Sequence, residues 1–305
     1  MDALADQAVR WFDRTARDLP WRPPWLGRGA APDAAGPAMA RAGTSPWAVL
    51  VSEVMLQQTP VVRVVPVWTD WLRRWPTPPR LAAAAPGDAV RAWGRLGYPR
   101  RALRLHATAV ELTRTHGGDV PSDLDTLLGL PGIGAYTARA VAAFAFGRRH
   151  PVVDTNVRRL VARAVRGEGD GGPATTAADL SAVERLLPAD PTRAARASAA
   201  FMELGALVCT AREPACDDCP LRSRCRWRRA GRPAATRRRR VQRYAGTDRQ
   251  VRGLLLAVAR DAPGSVSRRS LDAVWPDAEQ RGRALAGLLD DGLLVRAPGG
   301  RYALP

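Results

Sequence analysis

From Ser45 to about Trp227 the apolar residues recur at intervals of three and four, with Gly or Pro between segments. That period puts one apolar stripe on each of a succession of helices and leaves no convincing strand. The segment opening at Ser45-Pro46 shows the logic. Serine supplies a cap, proline fits the first turn, and Trp47, Leu50, Val51 and Val54 line one face. Upstream, residues 1–26 open as a helix and end at Leu19-Pro20-Trp21-Arg22-Pro23-Pro24. Residues 27–44 are rich in Gly, Ala and Pro without a period and read as a flexible insertion. A second loose stretch runs from Gly167 to Pro173. Residues 122–129 and 135–146 predict two helices flanking Leu130-Pro131-Gly132-Ile133-Gly134.

The pattern changes near the C-terminus. Residues 231–247 form a basic linker that carries Arg237-Arg238-Arg239-Arg240. Beyond it Arg249–Arg260, Ser267–Val274 and Ala278–Leu289 predict three helices. Leu293–Arg296 and Arg301–Leu304, around a Pro-Gly-Gly turn, predict a hairpin. Three helices and a hairpin outline a winged helix over residues 248–305, after a helical region over residues 1–230.

Charge adds a partner to this picture. The formal net charge is +18, and all 47 basic residues are arginine. Such an excess points to a polyanion, nucleic acid above all. The absence of lysine excludes a side-chain Schiff base. No apolar run is long enough to span a bilayer and no signal peptide is seen, so the expectation is a soluble, cytoplasmic, reduced protein.

Three groups of residues carry candidate chemistry. All four cysteines, Cys209, Cys216, Cys219 and Cys225, lie in one segment spaced C-x6-C-x2-C-x5-C. Four thiolates so close can hold a [4Fe–4S] cluster, one per iron. Zinc is the alternative, although only one pair has knuckle spacing. The glycines of Leu130–Gly134 can bring bare N–H groups to a phosphate at a helix N-terminus, as a helix-hairpin-helix does. Glu53 sits on a helix beside Val49, Leu50 and Leu56, where desolvation would raise its pKa toward that of a general acid. Asp154 precedes a helix, as an N-cap or as a catalytic carboxylate.

Taken in order, these pieces resemble the helix-hairpin-helix DNA glycosylases with an iron–sulfur loop, and within them the A/G-specific adenine DNA glycosylases. The resemblance runs from about Val9 to Trp227, without residues 27–44. It rests on Leu19-Pro20-Trp21-Arg22, Glu53-Val54-Met55-Leu56-Gln57-Gln58-Thr59, Gly94-Arg95-Leu96-Gly97-Tyr98, Leu130–Gly134, Val153-Asp154-Thr155-Asn156-Val157 and the cysteines. It implies a mainly α, two-lobed fold with a [4Fe–4S] loop at residues 209–225. It also implies a monomeric, nucleoid-associated repair enzyme that flips and excises adenine mispaired with 8-oxoguanine or guanine in duplex DNA. By the same resemblance Glu53 is the acid, Asp154 steadies the sugar cation, and Tyr136 and Asn156 line the pocket. Gln57, Gln58, Thr59, Tyr98, Gly132, Gly134 and Arg158 meet DNA, with Gln58 and Tyr98 as wedges.

Two departures stand out. Tyr136 occupies the position of the lyase lysine of the endonuclease III branch, which implies a monofunctional enzyme that leaves an abasic site. The family's lesion-reading C-terminal domain, with its Phe-Ser-His loop, is missing: no histidine follows His150, and only a short segment follows Thr247. The alternatives are a monofunctional pyrimidine-mismatch glycosylase and a non-enzymatic iron–sulfur regulator that binds DNA.

Overall fold

The computed structural model describes residues 2–27, 44–235 and 244–305. The Arg237–Arg240 run, and the expected insertion apart from Gly27 and Thr44, lie outside the described residues. In chain order the helices are α1 (Asp2–Thr15), α2 (Pro46–Leu56), α3 (Val61–Arg74), α4 (Pro78–Ala82), α5 (Pro86–Trp93), α6 (Arg100–Thr115), α7 (Leu124–Gly129) and α8 (Ala135–Phe146). They continue as α9 (Thr155–Val161), α10 (Ala177–Glu184), α11 (Pro191–Leu207), α12 (Arg226–Arg229), α13 (Asp248–Asp261), α14 (Arg268–Asp272) and α15 (Ala278–Asp290). Strands β1 (Val295–Ala297) and β2 (Arg301–Ala303) pair antiparallel with Arg296 opposite Tyr302. The mainly helical architecture and the terminal strand pair agree with the sequence. None of the described helices is long and apolar enough to cross a membrane.

The chain divides into two compact units. The first comprises Met1–Glu53, Pro121–Gly129 and Ile133–Arg239. Here α1 packs on α11, and α11 also packs on α8 and α9. The runs of alanine on α8 and α11 let their backbones approach, and Phe12, Phe201 and Leu204 fill the remaining space. Gly205 is needed for the same reason: a Cβ there would lie 2.6 Å from the Asn156 carbonyl oxygen. The Leu19–Arg22 motif finds its physical role in this unit. Arg17 grips the buried Glu203 carboxylate through Nε and Nη2, both at 2.9 Å, and Arg22 reaches it at 3.2 Å.

The second unit comprises Val54–Val120, Leu130–Gly132 and Arg240–Pro305. Helix α6 packs on α4 and α5, over a core where Trp71 meets Trp75 and Trp93 edge to face. Helices α13 and α15 pack together, and Val266 bridges to Tyr302 beside the strand pair.

Several boundaries differ from expectation: α14 spans Arg268–Asp272 rather than 267–274, and β1 spans Val295–Ala297 rather than 293–296. Helix α7 starts at Leu124 rather than Ser122, because Asp123 caps it by accepting from the Thr126 N–H at 2.9 Å. Helix α9 runs into a π turn over Ala162–Arg166.

Candidate active site

The carboxyl candidates meet in the first unit. Glu53, on the fourth-from-last residue of α2, is 6% exposed. Its carboxyl hydrogen-bonds to Tyr136 in the first turn of α8, and Asp154 is close enough to act on it by charge. Burial, opposed by the Tyr136 hydrogen bond and reinforced by Asp154, pushes the Glu53 pKa up to about 7. Burial and the two carboxyls also push the Tyr136 phenol well above its ordinary value, so it stays a neutral donor.

Asp154 is both a cap and a member of this group. Its Oδ1 accepts from the Val157 N–H at 2.7 Å, capping α9, while its Oδ2 accepts from Asn156 Nδ2 at 2.7 Å. Burial raises its pKa, and those two donors oppose the rise. Asn156 is oriented in turn by Arg159, whose Nη2 donates to Asn156 Oδ1 at 2.8 Å and to the Gly205 carbonyl at 2.6 Å. The Arg159 Nε donates to the Cys209 carbonyl at 2.6 Å. A hydrogen-bonded path therefore runs from the cysteine loop to Asp154. Its central residue, Arg159, had no assigned role in the sequence reading.

The four cysteines line one recess together with Leu160, Ala164, Val208, Leu221 and Trp227. Four thiols around an apolar recess are a donor set consistent with the iron–sulfur loop of the sequence reading. The recess is held by Arg163, which donates to the carbonyls of Thr210 (2.6 Å) and Ala211 (3.1 Å) and stacks over Trp227 at 4.6 Å. Burial pushes the Cys219 thiol up to about 11.

The second unit holds the residues expected as wedges. Gln58 and Tyr98 have positive φ, 56° and 47°, and both are exposed. Both loops are tied to Arg101, which is itself 6% exposed. Its Nη1 donates to the carbonyls of Val54 (2.8 Å), Met55 (3.0 Å) and Gln57 (2.7 Å), capping the C-terminus of α2. Its Nη2 donates to Thr59 Oγ1 and the Gly97 carbonyl, both at 3.0 Å. Thr59 is thus buried in this clamp. Gly132 has φ +78°, and a Cβ there would lie 2.7 Å from Arg104 Cβ. Gly134 has open space around its missing Cβ and begins α8 without a side-chain cap.

Arg158, expected to meet DNA, lies largely buried on α9. It is 7% exposed, with Nη1 3.3 Å from Thr175 Oγ1 and its stem against Gly171. Consecutive arginines on a helix point in different directions, and the sequence alone does not say which one turns inward.

Comparison with known proteins bears on this geometry. Residues 51–185 match the profile described as HhH-GPD superfamily base excision DNA repair protein. The chain is 57% identical over 299 residues to an adenine DNA glycosylase of Mycolicibacterium smegmatis, spanning 98% of this chain and 94% of that protein. It is 39% identical over 227 residues to the adenine DNA glycosylase of Homo sapiens, spanning 74% of this chain and 39% of the human protein. Among solved structures, a thermostable thymine-DNA glycosylase superposes with a TM-score of 0.60 at 22% identity, over 74% of this chain and 96% of its own. That likeness concerns the fold.

Proposed function

Because this chain belongs to the adenine DNA glycosylases of the HhH-GPD superfamily, enzymes of base excision repair, we propose that it hydrolyses the N-glycosidic bond of adenine mispaired with 8-oxoguanine or guanine. The observation that carries the mechanism is a buried Glu53 with a pKa of about 7, hydrogen-bonded to Tyr136 beside Asp154.

Near neutral pH a large share of Glu53 is protonated, so it can donate to a ring nitrogen of the flipped adenine. The C–N bond breaks and its electron pair leaves with the protonated base. The positive charge that develops on the sugar faces Asp154. Donors from Val157 and Asn156 support the ionised form of that carboxylate against burial. Water then adds to the anomeric carbon and gives up a proton to a carboxylate of the site, the Glu53 left ionised by its donation among them, which leaves an abasic site. Tyr136 replaces an amine at this position and the chain has no lysine, so no side-chain Schiff base forms and the strand stays intact.

On duplex DNA, Gln58 and Tyr98 fill the gap left by the extruded base, while Gly132 and Gly134 bring the start of α8 to a phosphate. Gln57 precedes Gln58 in the sequence and meets DNA beside it. Thr59 supports Gln58 from inside, and Arg158 holds its own loop. Cys209, Cys216, Cys219 and Cys225 would hold a [4Fe–4S] cluster, which would organise their loop and supply no step of the hydrolysis. Residues 248–305 form a winged-helix-like module after the linker at residues 231–247. The enzyme acts as a monomer.

The test is single-turnover excision on duplexes carrying A opposite 8-oxoguanine, A opposite G and T opposite G, with and without hot alkali. Adenine release with strand breakage only after alkali is expected. Preferential release of thymine, or a borohydride-trapped adduct in good yield, overturns the reading.

A further inference from the structure

The loop from Gly94 to Tyr98 is held by its carbonyl oxygens. Arg260, on α13 of the C-terminal module, donates through Nη1 to the Gly94 carbonyl. Arg63 of α3 donates to the Arg95 carbonyl. The Thr59 hydroxyl lies 3.4 Å from the Leu96 carbonyl. Trp93 Nε1 and Arg101 Nη2 both donate to the Gly97 carbonyl at 3.0 Å. Four consecutive carbonyls are thus caught by donors from separate elements. The chain emerges from this grip at Tyr98, with φ 47° and 48% exposed.

The first of those donors comes from the C-terminal module, beyond the linker at residues 231–247. Its seating is specific. Arg91 of α5 donates to the carbonyls of Arg260 and of Ala262, the latter at 2.9 Å. The Gly87 N–H at the start of α5 donates to the Pro305 oxygen at 2.7 Å. A Cβ on Gly87 would lie 2.5 Å from that oxygen and 2.9 Å from Leu304 Cβ. Arg100, two residues after Tyr98, pairs with Asp291 at 3.1 Å. Other arginines of the module have partners within it. Arg281 binds Asp272 and the Trp275 and Pro276 carbonyls, Arg283 pairs with Glu279, and Arg301 donates to Ser265.

We infer that the C-terminal module braces the Gly94–Tyr98 loop and that Arg260 is a positioning residue for Tyr98. This rests on the reading of Tyr98 as a wedge. The module thereby serves base extrusion from behind the loop, without needing to touch the mispair. A guanidinium–carbonyl hydrogen bond lost from such a loop misplaces the wedge and leaves the acid chemistry intact.

The experiment uses the full chain and four variants: Tyr98→Ala, Arg260→Met, Arg260→Lys and the double variant Tyr98→Ala/Arg260→Met. Single-turnover excision is measured together with the fluorescence of 2-aminopurine placed next to the mispair, which reports unstacking. Arg260→Met should slow excision about tenfold and lower the fluorescence step, with little change in Tm, and Arg260→Lys should recover most of both. The double variant should be no slower than Tyr98→Ala alone. Losses that multiply, or a folded Arg260→Met with wild-type excision and fluorescence, overturn the brace. If Arg260→Met does not fold, Gly87→Ala displaces the module's tail instead and carries the same comparison with Tyr98→Ala. Wild-type excision by Tyr98→Ala defeats the wedge reading underneath, separately from the brace.

Discussion

Glu53 and Glu203 are both buried glutamates on helices of the first unit, 6% and 2% exposed, and they meet opposite company. Glu53 has a phenol and a second carboxyl for neighbours, and its pKa rises to about 7. At Glu203 burial also pushes upward, but the hydrogen bonds from Arg17 and the charge of Arg22 overcome it and hold the carboxyl below its usual range. In a chain with 47 arginines, guanidinium partners are abundant. What makes Glu53 an acid is that burial, reinforced by Asp154 and only partly opposed by the Tyr136 hydrogen bond, acts there without the two-arginine clasp that turns Glu203 into a strut.

The contrast breaks first at the acid itself. Glu53→Gln should bind mispaired duplex normally and lose about 10²–10⁴-fold in excision, as measured in a single turnover. Excision within threefold of the wild type would remove Glu53 from the role. Asp154→Asn should lose a comparable factor while its Tm holds, because asparagine caps a helix about as well as aspartate. Survival of both activity and Tm would reduce Asp154 to the cap of α9.

Glu203→Gln should do the reverse. Leaving Arg17 and Arg22 without their carboxylate is expected to cost ~3–5 kcal/mol of stability, read by denaturant unfolding, while the protein that remains folded excises adenine. The Glu203 contribution should be present above an unfolded pKa of about 4.3 and lost as pH falls through the lower folded value.

Glu53 should show the opposite sign. Its folded pKa is raised, so the stability it confers is full below about 4.3 and is lost as pH rises through about 7. Glu53→Gln should therefore gain stability over the wild type between pH 5 and pH 8, by ~1–3 kcal/mol. Over the same range wild-type excision should fall above pH 7, approaching about tenfold per unit. A flat excision profile would separate the pKa from the chemistry.

The two glutamates also show how far the sequence could be read. Glu53 was legible because its helix repeats at threes and fours, so Val49 and Leu50 had to be its neighbours. Its bond to Tyr136 was not derivable from any period, since it joins α2 to α8 across more than eighty positions. Arg22 stood in a recognisable motif, but its partner Glu203 lies far along the chain and local pattern says nothing of it. The arginines whose partners the sequence did not show, Arg101, Arg158, Arg159 and Arg260, share one cause. Their partners are mostly backbone carbonyls or a distant hydroxyl, and every residue offers a carbonyl, so composition cannot mark the one that is chosen. The docking of α13 against α5 was illegible for the same reason.

Gln58 and Tyr98 are two of the three non-glycine residues with positive φ among those described. That conformation costs roughly 1 kcal/mol or more per residue and is met in advance, by the Arg101 clamp. If these two side chains are the wedges proposed above, they meet each base pair already in shape, and the time spent at a step would be set by how readily the duplex itself opens.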